Sequence, residues 1–169
     1  FLGVISALKR NKIIDQITRF FSLIGVSIPS FWMGLLLLLI FYFIIDFTGP
    51  GRISSEEFIP AHITGFYLLD SIITWDWSAF WDSLKHIILP AFSLGLYGIG
   101  VVTRMMRSSM LDVLSKDYIK SARARGFPVR KVIFKHALKN SLIPTITAIG
   151  VLYGTYLGGV MIIENVFSW

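Results

Sequence analysis

Three long runs of the chain carry no charged residue, and they alternate with polar segments. They cover residues 20–45, 87–103 and 140–163, with lengths of 26, 17 and 24 residues. A helix needs roughly 20 apolar residues to cross the hydrocarbon core of a bilayer, with about 17 to 25 as the usual range. Residues 35–45 are apolar on every side of a helix, whereas a surface helix of a soluble protein keeps a polar face. The pattern therefore predicts three membrane-spanning helices.

The segments between these runs complete the expected organisation of one transmembrane domain. Residues 1–8 are apolar but too short to span a bilayer, so we expect them to end a helix that begins upstream. Residues 46–86 form a predicted external loop, and residues 104–139 form a predicted cytoplasmic region. We expect residues 1–169 to be a fragment of a longer polypeptide, because they begin inside an apolar element without Met.

Lysine and arginine residues orient the predicted spans. Ten of them fall in residues 104–139 and four in residues 9–19, which together make 14 of the 16 in the chain. Residues 46–86 hold two basic residues against six acidic ones. Because the cytoplasmic loops of membrane proteins are rich in Lys and Arg, both basic segments are predicted to lie in the cytoplasm and the acidic loop outside.

Composition agrees with a membrane protein and excludes several kinds of site. The chain is 54% hydrophobic and 15% charged, whereas about 25% of the residues in soluble domains are charged. It contains no cysteine, which excludes disulfides and thiolate metal sites. His62, His86 and His136 lack the spacing of metal ligands, so no metal site is predicted. Aromatic residues near the end of the acidic loop favour an interfacial helix over a substrate site: Trp75, Trp77, Phe80 and Trp81.

The basic cytoplasmic segment is predicted to form two short helices around a glycine turn. Residues 109–125 form the first, with one apolar stripe that contains Met110, Leu111, Leu114, Tyr118 and Ala122. Gly126 follows where a helix C-cap favours glycine, and Pro128 suits the first turn of the next helix. The second helix is predicted to group Ile133, Phe134, Ala137, Leu138 and Ser141 on one face, and Pro144 to mark its transition into the third span.

Two functions are open for this basic segment. Its charge suits the neutralisation of anionic lipid, at about 1 kcal/mol for each basic residue near the surface. The small residues from Ser121 to Gly126 favour a compact projection that another protein encloses. Nucleic acid is not an expected partner, because the segment carries no recognised nucleic-acid motif and is tied to the membrane at both ends.

At these residues the chain resembles the permease subunits of ATP-binding-cassette importers. Their signature reads Glu-Ala-Ala, three residues, Gly, nine residues, Ile, one residue, Leu-Pro. Gly126, Ala122 and Leu138 match it, and the departures resemble the dipeptide, oligopeptide and nickel branch of the family. Residues 118–126 and 136–140 carry that branch's version. Further stretches are also similar to this branch, and in particular to its B-type subunit: residues 27–34, 62–65, 86–90 and 164–169.

This resemblance implies an all-α, polytopic membrane protein with part of the type I importer transmembrane fold. It implies a multi-pass permease in the cytoplasmic (inner) membrane of a prokaryote, which imports dipeptides or oligopeptides. The expected partners are a second permease subunit, two cytosolic ATP-binding subunits, an extracytoplasmic substrate-binding protein and the lipid bilayer. The chain itself is expected to bind no cofactor and to be non-catalytic, because ATP and Mg²⁺ belong to the partner subunits.

The resemblance also implies which residues couple the permease to the ATPases: Lys120, Ser121, Ala122, Arg123, Ala124, Arg125, Gly126 and Phe127. Arg123, Arg125 and Arg130 suit either acidic groups of the partner or lipid. Five small residues have two possible roles: Ser30, Gly34, Gly150, Gly154 and Gly158. Helix packing is favoured, and lining of the translocation path is the alternative. We also expect the helix to loosen near Pro29.

The transported ligand is not fixed by the sequence. Nickel chelates, glutathione and other small ligands are alternatives to peptides. A membrane-embedded enzyme is disfavoured, because the predicted spans hold no acid or histidine, and no Walker A motif is present.

Overall fold

Helices make up all the regular structure in the part of the chain described by the computed structural model, residues 1–55, 59–158 and 160–169. The chain is 77% helical, which confirms the expected all-α class. The elements are α1 (Leu2–Leu8), α2 (Ile13–Ser27), α3 (Ser30–Leu38), α4 (Tyr67–Ile73), α5 (Trp77–Ser115), α6 (Asp117–Ala124), α7 (Val129–Lys131), α8 (Leu138–Leu157) and α9 (Met161–Phe167). Two π-helical segments extend α3 and join α7 to α8, namely Leu39–Ile44 and Val132–Ala137. Glu56 and Glu57 of the acidic loop, and Gly159, lie outside the described residues.

Helix α5 is long enough and apolar enough to cross a membrane by itself. Its 39 residues correspond to about 58 Å at 1.5 Å per residue, which exceeds the roughly 30 Å hydrocarbon core. It begins at Trp77, ten residues before the predicted span 87–103, and continues to Ser115. The last part of the predicted external loop and the first part of the predicted cytoplasmic region are therefore helical extensions of α5.

The first uncharged run is interrupted rather than continuous. Helix α2 ends at Ser27 and α3 begins at Ser30, and Pro29 between them has an extended backbone with φ −59° and ψ 136°. Proline lacks an N–H and disfavours the helical conformation of the residue before it, which explains the break. The expected loosening near Pro29 is confirmed, and the assignment of residues 20–45 to one span stays a prediction. The pair α2 and α3 meets the length and apolarity criteria only when counted as one interrupted span.

The third uncharged run is also interrupted. Helix α8 ends at Leu157, and α9 begins at Met161. Pro144 lies inside α8, which begins at Leu138, and the prediction that it marks the transition into the span stays a prediction. The assignment of residues 140–163 to one span stays a prediction.

The chain forms two compact units. The first contains Phe1–Ser27 and Leu96–Gly159, and the second contains Ile28–Gly95 and Val160–Trp169. Seven buried residues form the core of the first: Ala7, Met110, Val113, Ile119, Ala122, Val132 and Ala137. Five form the core of the second: Leu37, Leu38, Leu89, Ile163 and Phe167. Residues 117–137, which carry the predicted coupling region, thus contribute four of the seven core residues of the first unit.

Glycines mark the closest helix contacts of the first unit. A Cβ added to Gly25 would lie 2.6 Å from the carbonyl oxygen of Leu96, and one added to Gly100 would lie 2.7 Å from that of Ser22. Both distances are too short for real atoms, so α2 and α5 approach each other only because these positions lack a side chain.

Candidate functional site

The chain reverses direction after α6 through a glycine turn. The N–H of Gly126 donates to the carbonyl of Arg123 (2.9 Å), and the N–H of Phe127 donates to that of Ala122 (3.3 Å). This pair of hydrogen bonds is the Schellman motif, which satisfies the last carbonyls of a helix. Gly126 has φ +76°, a left-handed conformation that costs a residue with a Cβ roughly 1–2 kcal/mol. The predicted glycine turn is therefore confirmed.

The aromatic ring of Phe127 anchors this turn. It stacks parallel to the His136 ring, with centroids 5.9 Å apart and planes 3° apart. The Nζ of Lys131 lies 4.7 Å from the centroid of Phe127, and the guanidinium of Arg125 lies 5.3 Å from it. Cations within about 6 Å of a ring are attracted to its face. The ring thus holds two basic side chains of the turn in defined positions.

Most of the predicted coupling residues are accessible. Ala122 is buried and Phe127 is half-buried, and the others are exposed: Lys120, Ser121, Arg123, Ala124, Arg125 and Gly126. No atom of the described residues lies within 4 Å of a Cβ added to Gly126. The turn is therefore open on its outer side and anchored in the core on its inner side. Its role in coupling stays a prediction.

The first predicted helix of this region is wrong in one respect, because the chain breaks at Lys116. This residue has an extended backbone, with φ −67° and ψ 149°, so residues 109–125 form the end of α5 and the separate α6. Met110 and Ala122 are buried as predicted, but Tyr118 is exposed and Ile119 takes the buried position instead. The break rotates the side chains of α6 relative to those of α5, so one apolar stripe does not continue through both helices.

The second predicted helix differs because of its π-helical segment, Val132–Ala137. Each hydrogen bond there spans five residues instead of four, which widens the turn and shifts the following side chains. Ala137 and Ser141 are buried as predicted, whereas Phe134 is 55% exposed and Val132 is buried in its place. Such segments often occur at functional sites.

A buried ion pair in the first unit is absent from the sequence predictions. Asp15, in the first turn of α2, is fully buried, and its carboxylate accepts hydrogen bonds from Arg107 of α5 at 2.7 Å (Nε) and 2.8 Å (Nη2). It also accepts from the Ser6 hydroxyl (2.5 Å) and the Asn11 N–H (2.9 Å). The carboxylate thus accepts from four donors, two of which belong to one bidentate guanidinium, and is fully satisfied. The only local signal was one acid within a basic segment.

This ion pair joins three helices beneath the glycine turn. Ser6 belongs to α1, and its neighbour Ala7 packs in the same core as Ile119 and Ala122 of α6. The network therefore fixes α1 and α2 against α5, and α1 in turn supports α6. Arg107 thus connects α5 to α1 and α2 within the first unit.

The residues predicted to pack helices or line a path fall into two groups. Gly34 is buried, and a Cβ there would lie 2.9 Å from Phe167, so it is a packing position; Ser30 is half-buried at the start of α3. Gly150 and Gly154 are exposed, and no described atom outside their own turns of helix lies within 4 Å of an added Cβ. Gly158 meets only backbone oxygens of α8, such as that of Thr155. The contacts of these three with other chains or with ligand stay predictions.

The whole chain, residues 1–169, matches the family described as binding-protein-dependent transport system inner membrane component. It is 41% identical over 169 residues to the probable D,D-dipeptide transport system permease protein of Escherichia coli strain K12. This alignment covers 99% of the present chain and 50% of that protein. It is 42% identical over 168 residues to the di/tripeptide transport system permease protein of Pseudomonas aeruginosa strain UCBPP-PA14, with the same coverage. An oligopeptide transport system permease protein of Bacillus subtilis strain 168 is 37% identical over 167 residues, or 99% of this chain and 47% of that protein.

The chain spans about half the length of the curated relatives it matches. The match along all of its residues confirms the resemblance to importer permeases. The chain belongs to the family of binding-protein-dependent transport system inner membrane components.

Proposed function

We propose that the protein is a permease subunit of an ATP-driven importer, and that the Gly126 turn couples it to cytosolic ATPase subunits. The observation that carries this proposal is the turn itself: an accessible glycine turn with exposed small and basic residues, held by two backbone hydrogen bonds and a ring anchored in the core. Family membership and the permease names of the relatives support it.

The chemistry of transport is divided between this chain and its partners. ATP and Mg²⁺ bind to the ATPase subunits, and the permease contributes no catalytic group. Closure of the ATPases moves the turn, and the first unit transmits this motion because its core and the buried Asp15–Arg107 pair link α6 to α1, α2 and α5. Such coupling requires an element with two arrangements whose equilibrium is biased by ATP.

The proposed cargo is a dipeptide or a short oligopeptide, as the names of the relatives indicate. Nickel chelates, glutathione and other small ligands are alternatives within the same family. A second permease subunit and an extracytoplasmic binding protein complete the importer. We place the protein in the cytoplasmic membrane as a multi-pass subunit, with residues 46–86 outside.

Transport by the full-length protein tests this proposal. The permease is reconstituted in liposomes with its partner permease, both ATPases and the binding protein, and ATP-dependent uptake of a labelled dipeptide is measured. We expect the double reversal Arg123→Glu/Arg125→Glu to reduce uptake at least tenfold, because both side chains are exposed at the turn. The matched control is Lys12→Glu, an exposed basic residue on the same predicted side. Equal uptake by the wild type and the double reversal would contradict the coupling role.

A further inference from the structure

The second unit contains a partly open cavity of about 350 Å³, which the coupling role does not explain. Its walls come from the start of α4, the first turns of α5, the loop before α4 and the end of the chain. The residues that matter most are Arg52, Tyr67, Ser83 and Trp169. Ligand pockets in proteins range from about 300 to 1,000 Å³, so the cavity is the size of a small-molecule site.

Arg52 is held at this cavity by two aromatic rings. Its guanidinium lies 5.5 Å from the centroid of Trp169 and 6.0 Å from that of Tyr67. The N–H of the preceding Gly51 donates to the carbonyl of Phe167 (2.7 Å), which fixes this turn beside α9. A guanidinium attracted to ring faces uses none of its five N–H donors in that contact, so they remain available to an acceptor.

Two acids on the helices that line the cavity, Asp82 of α5 and Asp70 of α4, are already engaged in hydrogen bonds. Asp82 accepts hydrogen bonds from the N–H and hydroxyl of Ser54, at 2.7 and 2.6 Å. Asp70 accepts from the N–H and hydroxyl of Thr64, both at 2.7 Å, and from the N–H groups of Gly65 and Ile63. Within residues 1–55, 59–158 and 160–169, no carboxylate lies within 4 Å of the Arg52 guanidinium. The cation is fixed in place without a counter-ion there.

A second unsatisfied group lines the same cavity. Ser83, on α5, is 3% exposed, and its hydroxyl has no hydrogen-bond partner among the described residues. A buried hydroxyl without a partner is costly, and the cost disappears when a ligand supplies one. Among the described residues, the cavity therefore combines a cation without a carboxylate partner and a hydroxyl without a hydrogen-bond partner, together with aromatic and apolar walls.

We propose that this cavity binds the carboxylate of a short peptide with its adjoining apolar side chain. Arg52 holds the carboxylate through paired N–H donors, Ser83 donates a further hydrogen bond, and Tyr67 and Trp169 pack against the side chain. A carboxylate is the group that a planar guanidinium fits best. The identity of the ligand rests on the proposed function, because a peptide importer must receive such a group.

The charge of the surrounding loop strengthens this assignment. Residues 46–86 hold six acids and only two basic residues, Arg52 and Lys85. A short peptide is a zwitterion, and these acids repel only its carboxylate end, so the aromatic-held Arg52 determines where that end binds within the described part of the loop. Lys85 is exposed and does not line the cavity. It is therefore a matched control for charge.

Binding of a defined dipeptide tests the cavity directly. The full-length permease is purified with its partner permease and ATPases in lipid nanodiscs, without the binding protein, and binding of labelled Ala-Phe is measured by equilibrium dialysis. We expect Arg52→Gln to weaken binding at least tenfold and Lys85→Gln to leave it unchanged. The C-terminal amide of Ala-Phe is expected to bind the wild type at least tenfold more weakly than the acid.

A second variant separates a ligand role from a structural one. Ser83→Ala removes the buried hydroxyl, so we expect it to weaken Ala-Phe binding severalfold while the melting temperature without ligand stays equal or rises. A melting temperature that falls in parallel with binding would assign the hydroxyl to the fold instead.

The outcomes also distinguish this inference from the proposed function. Failure of the wild-type importer to take up Ala-Phe in liposomes with the binding protein would count against peptide import. Normal uptake with no measurable binding in nanodiscs, or equal binding by the wild type and Arg52→Gln, would overturn the cavity alone. Loss of affinity for the binding protein in Arg52→Gln, without a change in Ala-Phe binding, would assign Arg52 to that protein and equally overturn it.

Discussion

Cation–π contacts hold basic side chains at both the Gly126 turn and the Arg52 cavity, but the numbers of rings and cations differ. At the turn, one ring, Phe127, holds two cations on an open surface. At the cavity, two rings, Tyr67 and Trp169, hold one cation in a recess. Several exposed cations on a projection suit the broad surface of a protein partner, whereas one cation that lines a cavity together with a buried hydroxyl suits the carboxylate of a small ligand. The two regions thus differ in how many cations each ring holds and in how open the surface around them is.

The largest effect is expected at the buried support of the turn. Asp15→Ala leaves the Arg107 guanidinium partly buried without its acid, which typically costs about 3–5 kcal/mol. We expect a large fall in the melting temperature of the full-length protein. The double variant Asp15→Leu/Arg107→Met removes both charges and should recover most of this loss, and a double variant as unstable as Asp15→Ala would contradict the explanation.

The next effect concerns the backbone of the turn. Gly126→Ala forces a side chain into a left-handed conformation and should destabilise the turn by roughly 1–2 kcal/mol. Gly150→Ala is the matched control, because Gly150 is helical and exposed, and alanine there is favoured by about 0.5–1 kcal/mol. Thermal unfolding should therefore shift in opposite directions. A shift of the same sign in both variants would mean that the φ of Gly126 is not what matters.

Removal of the aromatic ring at the turn should have a smaller effect. Phe127→Leu keeps an apolar side chain but removes the ring face that holds Arg125 and Lys131, each contact being worth about 0.5–1 kcal/mol at an exposed site. We expect reduced coupling of ATP hydrolysis to transport and only a slight loss of stability. Phe134→Leu, at an exposed phenylalanine of the same region, should change neither.

The smallest effect is a pH dependence at the loop beside the cavity. The Thr64 hydroxyl and the N–H groups of Thr64, Ile63 and Gly65 hold the pKa of Asp70 below its ordinary value. The ionised carboxylate therefore stabilises the loop above about pH 4, the ordinary pKa of Asp, and this contribution is lost as the pH falls through the lower folded-state pKa. The melting temperature should fall with acid more steeply for the wild type than for Asp70→Asn. Parallel curves would contradict this role.

Local patterns predicted much of the fold and of the turn. The uncharged runs located the helices, Pro29 marked a break, and Gly126 marked a left-handed turn, because each of these depends on neighbouring residues alone. The break at Lys116 has no such signal, since Lys116 and Asp117 fit a helical pattern as well as their neighbours do. The π-helical segment at Val132 shifts side chains by a distortion that no regular period describes.

The sequence alone did not predict the contacts between residues that are far apart in the chain. Asp15 and Arg107 are 92 residues apart, and nothing local to either one names the other. The same holds for Arg52 and Trp169, which the fold brings together within the second unit. The regular spacing of Gly150 and Gly154 suggested helix packing, but the close contacts lie at the irregularly spaced Gly25 and Gly100. Periodicity locates faces of helices, whereas the partner of each face depends on the tertiary structure.

Crosslinking at the turn tests whether it docks on the ATPase. A single cysteine replaces Ala124, which is exposed beside Gly126, in a full-length protein free of other cysteines, and another is placed in the groove of the ATPase subunit. We predict a strong crosslink in membranes, with a yield that changes when ATP is added, and none from a cysteine at Lys12. Absence of the Ala124 crosslink, with both subunits assembled and both cysteines reactive, would contradict docking of the turn on the ATPase.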